Sequence, residues 1–346
     1  MNMTSNANGT TDKIRWQDVV ARYARPDLRR SLWMVINTLV PFFSLWILMI
    51  LSVKVSYLLT LALAFPTAGF MMRTFIIFHD CGHGSFFKSR KANDVMGIIT
   101  GLINFTPYYR WRHEHAIHHA TAGDLDRRGV GDVYTMTLKE YVEAPWWKKA
   151  GYAVFRNPVA MFLFGPIIMF VFVQRLPGPN LAKRELASVW WTNLELALII
   201  GALCWAIGWQ TYLLVQVPVM ILGAGAGVWM FYVQHNFDPT YWERQDEWQF
   251  VKAGLDGSSF YKLPAVLNWF TGNIGFHHIH HLSPKIPNYK LPACHQENPI
   301  LQVKPMGLLF SLKSLRLRLW DEDNGIMVGW SALKAYHVRR QTQVSA

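Results

Sequence analysis

The sequence predicts an all-α integral membrane protein: four transmembrane helices in two hairpins, with interfacial helices and a cytoplasmic helical cap that carries clustered histidines. Three observations predict it. Four apolar segments reach the roughly 20 residues that a helix needs to cross the hydrocarbon. Charged residues make up 16% of the 346-residue chain, against about 25% in an average soluble domain. Most of the histidines recur at i, i+3 and i+4, so that their rings share one face of a helix.

The N-terminal stretch MNMTSNANGTTD is polar and lacks the apolar core of a signal peptide. Residues 1–12 are expected to be a disordered tail, and 13–346 a single membrane domain. The spans are expected at residues 32–53, 57–78, 190–209 and 211–233. The SVKVS turn joins the first two, and Gly208–Gln210 joins the last two. The run at 95–105 is too short to cross. The run at 158–174 is short and interrupted by Gly165 and Pro166. Lys148, Lys149 and Arg156 precede it, and Arg175, Lys183 and Arg184 follow. Positive flanks stay inside, so both of its ends are expected on the cytoplasmic side and the segment in the interface or re-entrant. Arg22, Arg25, Arg29 and Arg30 place the start of the first span inside. An even number of crossings then brings every histidine cluster to one side. A fifth full span would put His277–His281 across the bilayer from the rest.

The net charge is +12, with basic residues gathered in loops beside apolar runs. That suits an anionic membrane surface. With no separate basic domain, nucleic acid is not an expected partner. Cys81, Cys204 and Cys294 are far apart and form no CxxC pair, which argues against an iron–sulfur cluster and a disulfide framework.

Four stretches hold the histidines of interest. HDCGH places His79 and His83 at i and i+4, directly continuing the second span. HEHAIHH contains His115, His118 and His119 in an HxxHH pattern. FHHIHHLSP repeats that pattern with His277, His280 and His281. VQHNF puts His235 at the end of the fourth span. His113 and His278 fall outside the spacing, and His295 and His337 are isolated. Nine imidazoles are too many for one ion and fit two ions with four or five each, whereas a structural zinc site closes with four ligands. Imidazole suits zinc, copper, iron or nickel, and spacing does not choose among them.

The three boxes, split by two helical hairpins, resemble those of the membrane fatty acid desaturases. Three further stretches strengthen the likeness to bacterial acyl-lipid desaturases of the omega-6 (delta-12) and delta-5 types: HATAGDLDRRGVGDVYT (119–135), FYVQHNF (231–237) and GSSFYKLP…TGNIGFHHIHHLSPKIPNYKL (257–291). The resemblance covers roughly residues 30–291. It implies a non-haem centre of two iron ions, with dioxygen as co-substrate. The metal ligands it implies are His79, His83, His115, His118, His119, His235, His277, His280 and His281. Asn236 and Asn273 are nearby polar candidates, and neither is assigned.

Such an enzyme removes hydrogens from adjacent carbons of a fatty acyl chain, expected to be lipid-linked, and leaves a cis double bond. An unactivated C–H bond yields to no acid, base or nucleophilic side chain, so a cofactor must carry that step. The chain has no cytochrome b5 motif, no cysteine cluster and no dinucleotide fingerprint. A separate electron donor such as ferredoxin or cytochrome b5 is therefore expected. The expected location is the bacterial inner membrane, with the active site on the cytoplasmic side. Asp80, Glu114, Asp124, Asp126, Asp132 and Asp238 are candidates to orient histidines and equally read as loop charges or caps. Arg127 and Arg128 suit a lipid phosphate or a donor, and equally an ordinary basic loop. GAGAG (223–227) suggests close helix packing. Trp190, Trp191, Trp205, Trp209 and Trp229 fit interfacial belts or core. Two alternatives are open: a hydroxylase, ketolase or alkane monooxygenase of the same superfamily, and a histidine-rich metal transporter or sensor. The transporter would distribute its ligands within the spans, whereas here they gather outside them.

Overall fold

The computed structural model describes residues 15–344, so the tail expected over 1–12 lies outside the described residues. Helix α1 (Leu28–Val53) starts where the Asp27 side chain accepts from the Arg30 amide, satisfying one of the four orphan donors of a helix start. Helix α2 (Tyr57–His83) follows directly. Ser52 and Thr60 share a 2.8 Å hydrogen bond across that hairpin. Helix α3 (Arg90–Ile103) and helix α4 (Tyr108–Thr121) come next. The second hairpin is α5 (Lys183–Ile207) and α6 (Trp209–His235), divided by Gly208 at φ +83°. The short helix α7 (His277–Leu282) carries the last box.

Among the described residues, α1, α2, α5 and α6 are the helices long and apolar enough to cross a membrane. They overrun the apolar stretches that predict them. Helix α2 extends five residues beyond residue 78, and α5 begins seven residues before residue 190. Polar residues at the ends continue the helix because its backbone bonds propagate more easily than they nucleate. Helix α2 packs against α1, α3 and α6 and is the central element.

The run at 158–174 is neither a straight span nor a plain surface helix. Trp146–Phe155 and Ala160–Arg175 meet at 66°. Arg156, at the near end, donates to Asn236 beside the end of α6. Arg175, at the far end, donates to the Phe105 carbonyl between α3 and α4, and to Asn193 at 3.1 Å. Both ends are thus tied to chain next to the histidine-bearing helices. Inside the segment the helix widens to π-helical turns on either side of Gly165–Ile167. Pro166 has no N–H for the Phe162 carbonyl four residues back, and its ring crowds that carbonyl. A Cβ on Gly225 of α6 would lie 2.8 Å from the same carbonyl, and one on Gly223 would lie 3.0 Å from Met71 Sδ. The GAGAG run is therefore a packing surface on two sides.

A buried charge lies inside the second span. Arg73 of α2 donates to Thr38 of α1 at 3.1 Å, bonds the Trp269 carbonyl, and sits 4.0 Å over the Trp269 ring. It fastens the helix Ala265–Phe270, which leads toward α7, onto the first hairpin. Its cation meets the negative end of that short helix and an aromatic face instead of lipid.

Five strands of two or three residues, unforeseen in the sequence, tie down the C-terminal part. β1 (Met136–Thr137) runs parallel to β4 (Leu319–Asp321), which pairs antiparallel with β5 (Ile326–Val328). β2 (Phe260–Lys262) runs parallel to β3 (Pro305–Gly307). Strands this short show no alternation to read.

Gly225→Val is expected to destabilise the protein by about 1–3 kcal/mol, because the added carbons must displace the Phe162 carbonyl. A lowered unfolding temperature in detergent checks this, and an unchanged one contradicts the packing.

Candidate metal centre

The nine histidines converge from four chain segments into two groups. His79, His83, His115, His119 and His280 form one, and His118, His235, His277 and His281 the other. Within each group the facing ligand atoms lie within 4.8 Å of one another. Seven of the nine are buried, and His83 and His235 are partly so.

Local structure explains the convergence. Gly84, at φ +65°, ends α2 just after His83 in a left-handed cap, a conformation glycine adopts without strain. In α4, spacings of three and four residues turn His115, His118 and His119 inward. His119 lies with the α2 histidines and His118 with His235 and α7, so one helix serves both groups. The α7 box is divided in the same way: His280 joins the first group, His277 and His281 the second. The His119 and His281 rings stack at 4.1 Å between centroids, forming a common wall.

Nε2 atoms face one another in five pairs among seven of the rings. The His118–His235 and His115–His119 pairs are 3.2 Å apart, His119–His280 3.0 Å, His235–His277 2.9 Å and His277–His281 3.1 Å. Ligands about 2.1 Å from a shared ion at tetrahedral to right angles would be roughly 3.0–3.4 Å apart. Tautomer chemistry separates this from a hydrogen-bonded cluster. The Nδ1 of His118 bonds Asp132, and that of His235 faces the Gly257 carbonyl at 3.3 Å. Both partners only accept, so each Nδ1 carries the proton. With both rings neutral, two Nε2 lone pairs face each other at 3.2 Å, an arrangement that a shared cation relieves. The donor set therefore fits a metal ion in each group.

Two of the six candidate carboxylates touch this centre. Asp80 holds His79 Nδ1 at 3.1 Å and is itself held by the Asn288 amide and side chain, both at 2.8 Å. Asp132 holds His118. A Cβ on Gly131 would lie 3.0 Å from the Glu114 carbonyl and 3.1 Å from His118 Cβ, so the loop carrying Asp132 lies directly against α4. The other four have ordinary tasks. Glu114 pairs with Arg110, Asp124 caps its loop and pairs with Arg127, Asp126 pairs with Arg244, and Asp238 accepts from the Met327 amide. Arg128 is likewise spent on Glu140, so the two arginines read as structural.

His278 is buried, yet its Nε2 bonds the Leu301 carbonyl at 2.9 Å, away from both groups. His113 is exposed. His295 packs on Phe260 and Phe276. Asn236 is committed to Arg156, and Asn273 to Asn268 and Asn288. Asn288, which fixes Asp80, went unnoticed in the sequence: it sits 208 positions away with no local pattern to mark it.

The chain matches the family described as fatty acid desaturase over residues 52–304. It belongs to that family. It is 48% identical to the fatty acid desaturase of Bacillus subtilis, over 91% of this chain and 90% of that protein. It is 30% identical to an sn-1 acyl-lipid omega-3 desaturase (ferredoxin) of Synechocystis sp., over 63% of this chain and 61% of that one. The omega-6 fatty acid desaturase, chloroplastic, of Arabidopsis thaliana is 30% identical, over 69% of this chain and 53% of its own length. The protein is a membrane fatty acid desaturase, an oxidoreductase. The transporter reading falls with that membership.

Burial, reinforced by neighbouring imidazoles, holds His115, His119, His277, His280 and His281 well below the ordinary value of 6.5. A depressed folded value means that only the unfolded chain takes up protons just below pH 6.5. The stability of the metal-free desaturase should therefore be flat above about pH 6.5. It should fall on acidification by about 1.4 kcal/mol per pH unit for each histidine involved. Thermal unfolding of chelated protein between pH 8 and pH 5 checks this, and rising stability toward pH 5 refutes it.

Proposed function

We propose that the two histidine groups of this desaturase each hold one iron ion, and that the pair uses dioxygen to desaturate a lipid-linked acyl chain. The observation that supports this best is the facing pair of Nε2 lone pairs on His118 and His235, with each Nδ1 turned to an acceptor. In this reading His79, His83, His115, His119 and His280 are the ligands of one iron, and His118, His235, His277 and His281 those of the other. Bound iron would supply the electron transfer and dioxygen activation that no side chain offers.

The chain's own residues prepare that chemistry. Asp132 and Asp80 keep the proton on the Nδ1 of His118 and His79, and so aim Nε2 inward as a ligand. Burial of His115, His119, His277, His280 and His281 keeps them neutral and ready to coordinate at neutral pH. The same burial excludes water from most of the centre.

A lipid-bound substrate and a ferredoxin-type donor are supported by the printed description of the Synechocystis relative and by the net charge of +12, which favours an acidic partner. A single domain over 13–346 in a bacterial inner membrane, with the centre facing the cytoplasm, is supported by the two hairpins, the basic flanks of α1 and the two tethered ends of 158–174. Ligands at the ends of α2 and α6 then lie on one side.

Expression in a host lacking the activity, followed by fatty acid profiling, tests the reaction. New unsaturated acids are expected, and their loss with His280→Ala. An oxygenated product with no new double bond would favour the hydroxylase alternative and overturn this reading. In a second test, Asp132→Asn should weaken iron binding about 10–100-fold in chelator competition. His278→Ala should leave iron content unchanged, because its ring faces Leu301. Iron loss in His278→Ala would show the ligand set to be wrong.

A further inference from the structure

Arg156 is the largest of the side chains with almost no exposed surface. Among the described residues no carboxylate lies within ion-pair distance of it. Its guanidinium is instead satisfied by neutral acceptors. One terminal nitrogen donates to Asn236 Oδ1 and to the Leu317 carbonyl at 3.1 Å. The other reaches the Tyr134 carbonyl and Thr135 Oγ1, both at 3.4 Å. Nε has no partner. Burying a cation without a counter-ion is costly, so its retention asks for a reason.

Its partners supply one. Asn236 is the cap residue immediately after His235, at the end of α6. The Asn236 amide in turn donates to the Ser314 carbonyl at 3.3 Å and the Leu317 carbonyl at 3.5 Å. Tyr134 and Thr135 lie two and three residues after Asp132, whose carboxylate holds His118. One planar fork thus joins the two arms that aim His118 and His235. Both belong to the four-histidine group, and no bond of Arg156 runs to a segment that carries a ligand of the five-histidine group alone. A positive charge beside the last turn of α6 also suits that helix's negative end.

We infer that Arg156 is a positioning residue for the four-histidine site, holding His118 and His235 at their mutual distance through Asn236 and the loop after Asp132. This rests on the proposed placement of one iron in each group. Lysine offers a point charge without the fork, so Arg156→Lys should fail nearly as fully as Arg156→Met. Asn236→Ala, which removes the acceptor and keeps the cation, should reproduce the defect.

The test is iron content and Mössbauer spectra of purified, monodisperse protein loaded with ferrous iron. His280→Ala and His277→Ala serve to mark which signal belongs to which group. Wild-type protein is expected to bind about two irons, and the three variants about one, since orienting partners carry 10–100-fold in affinity. The lost signal should be the one that His277→Ala removes. Equal loss from both groups, or two irons with an unchanged spectrum, overturns the inference. Should Arg156→Met not fold, Arg156→Lys and Asn236→Ala carry the test. If these too fail to fold, the role is general to the fold and the inference falls. Wild-type protein binding fewer than two irons overturns the two-iron reading itself, and with it this inference.

Discussion

Nine imidazoles brought into two neighbouring groups constrain almost everything else in this protein. Each ring must turn one nitrogen inward and satisfy or shield the other, in surroundings with little water. Four chain segments supply them: the end of the first membrane hairpin, α4, the end of the second hairpin and α7. The rings meet only if each hairpin returns the chain to the side it left. The two hairpins and the left-handed cap at Gly84 serve that return.

The support around the rings comes in pairs. Asp80 and Asp132 each fix one ring, and each is positioned from outside, by Asn288 and by the close seat of Gly131. Buried arginines work over longer reach. Arg73 fastens the helix before the last box to the first hairpin, and Arg156 joins the ends of the His118 and His235 arms. Both use carbonyls and hydroxyls where an ion pair would be usual. A carboxylate in such a place would bring its own desolvation cost and would compete for metal.

Each HxxHH box divides between the two groups. An i, i+3, i+4 triad places three rings on one face, but that face is wide enough to border two sites. On α4 the split puts His115 and His119 with one group and His118 with the other; on α7 it puts His280 apart from His277 and His281. The division couples the two sites mechanically, since a shift of either helix moves ligands of both. Arg156 acts on a part of one site that neither helix controls alone.

The sequence by itself determined the family's motifs, the four spans, the nine converging histidines and the exclusion of His278. Hydropathy and helical spacing are local, and a helix carries its face pattern wherever it packs. Helices α2 and α5 run five and seven residues past the expected spans, because backbone hydrogen bonding continues past the apolar stretch. Only the tertiary structure decided which ring joins which group, that Asp80 and Asp132 alone of six carboxylates reach the centre, and that Arg73, Arg156 and Asn288 support it. Those contacts span up to 208 positions of sequence. They arise from how packed helices turn their faces toward each other, and no local spacing encodes that.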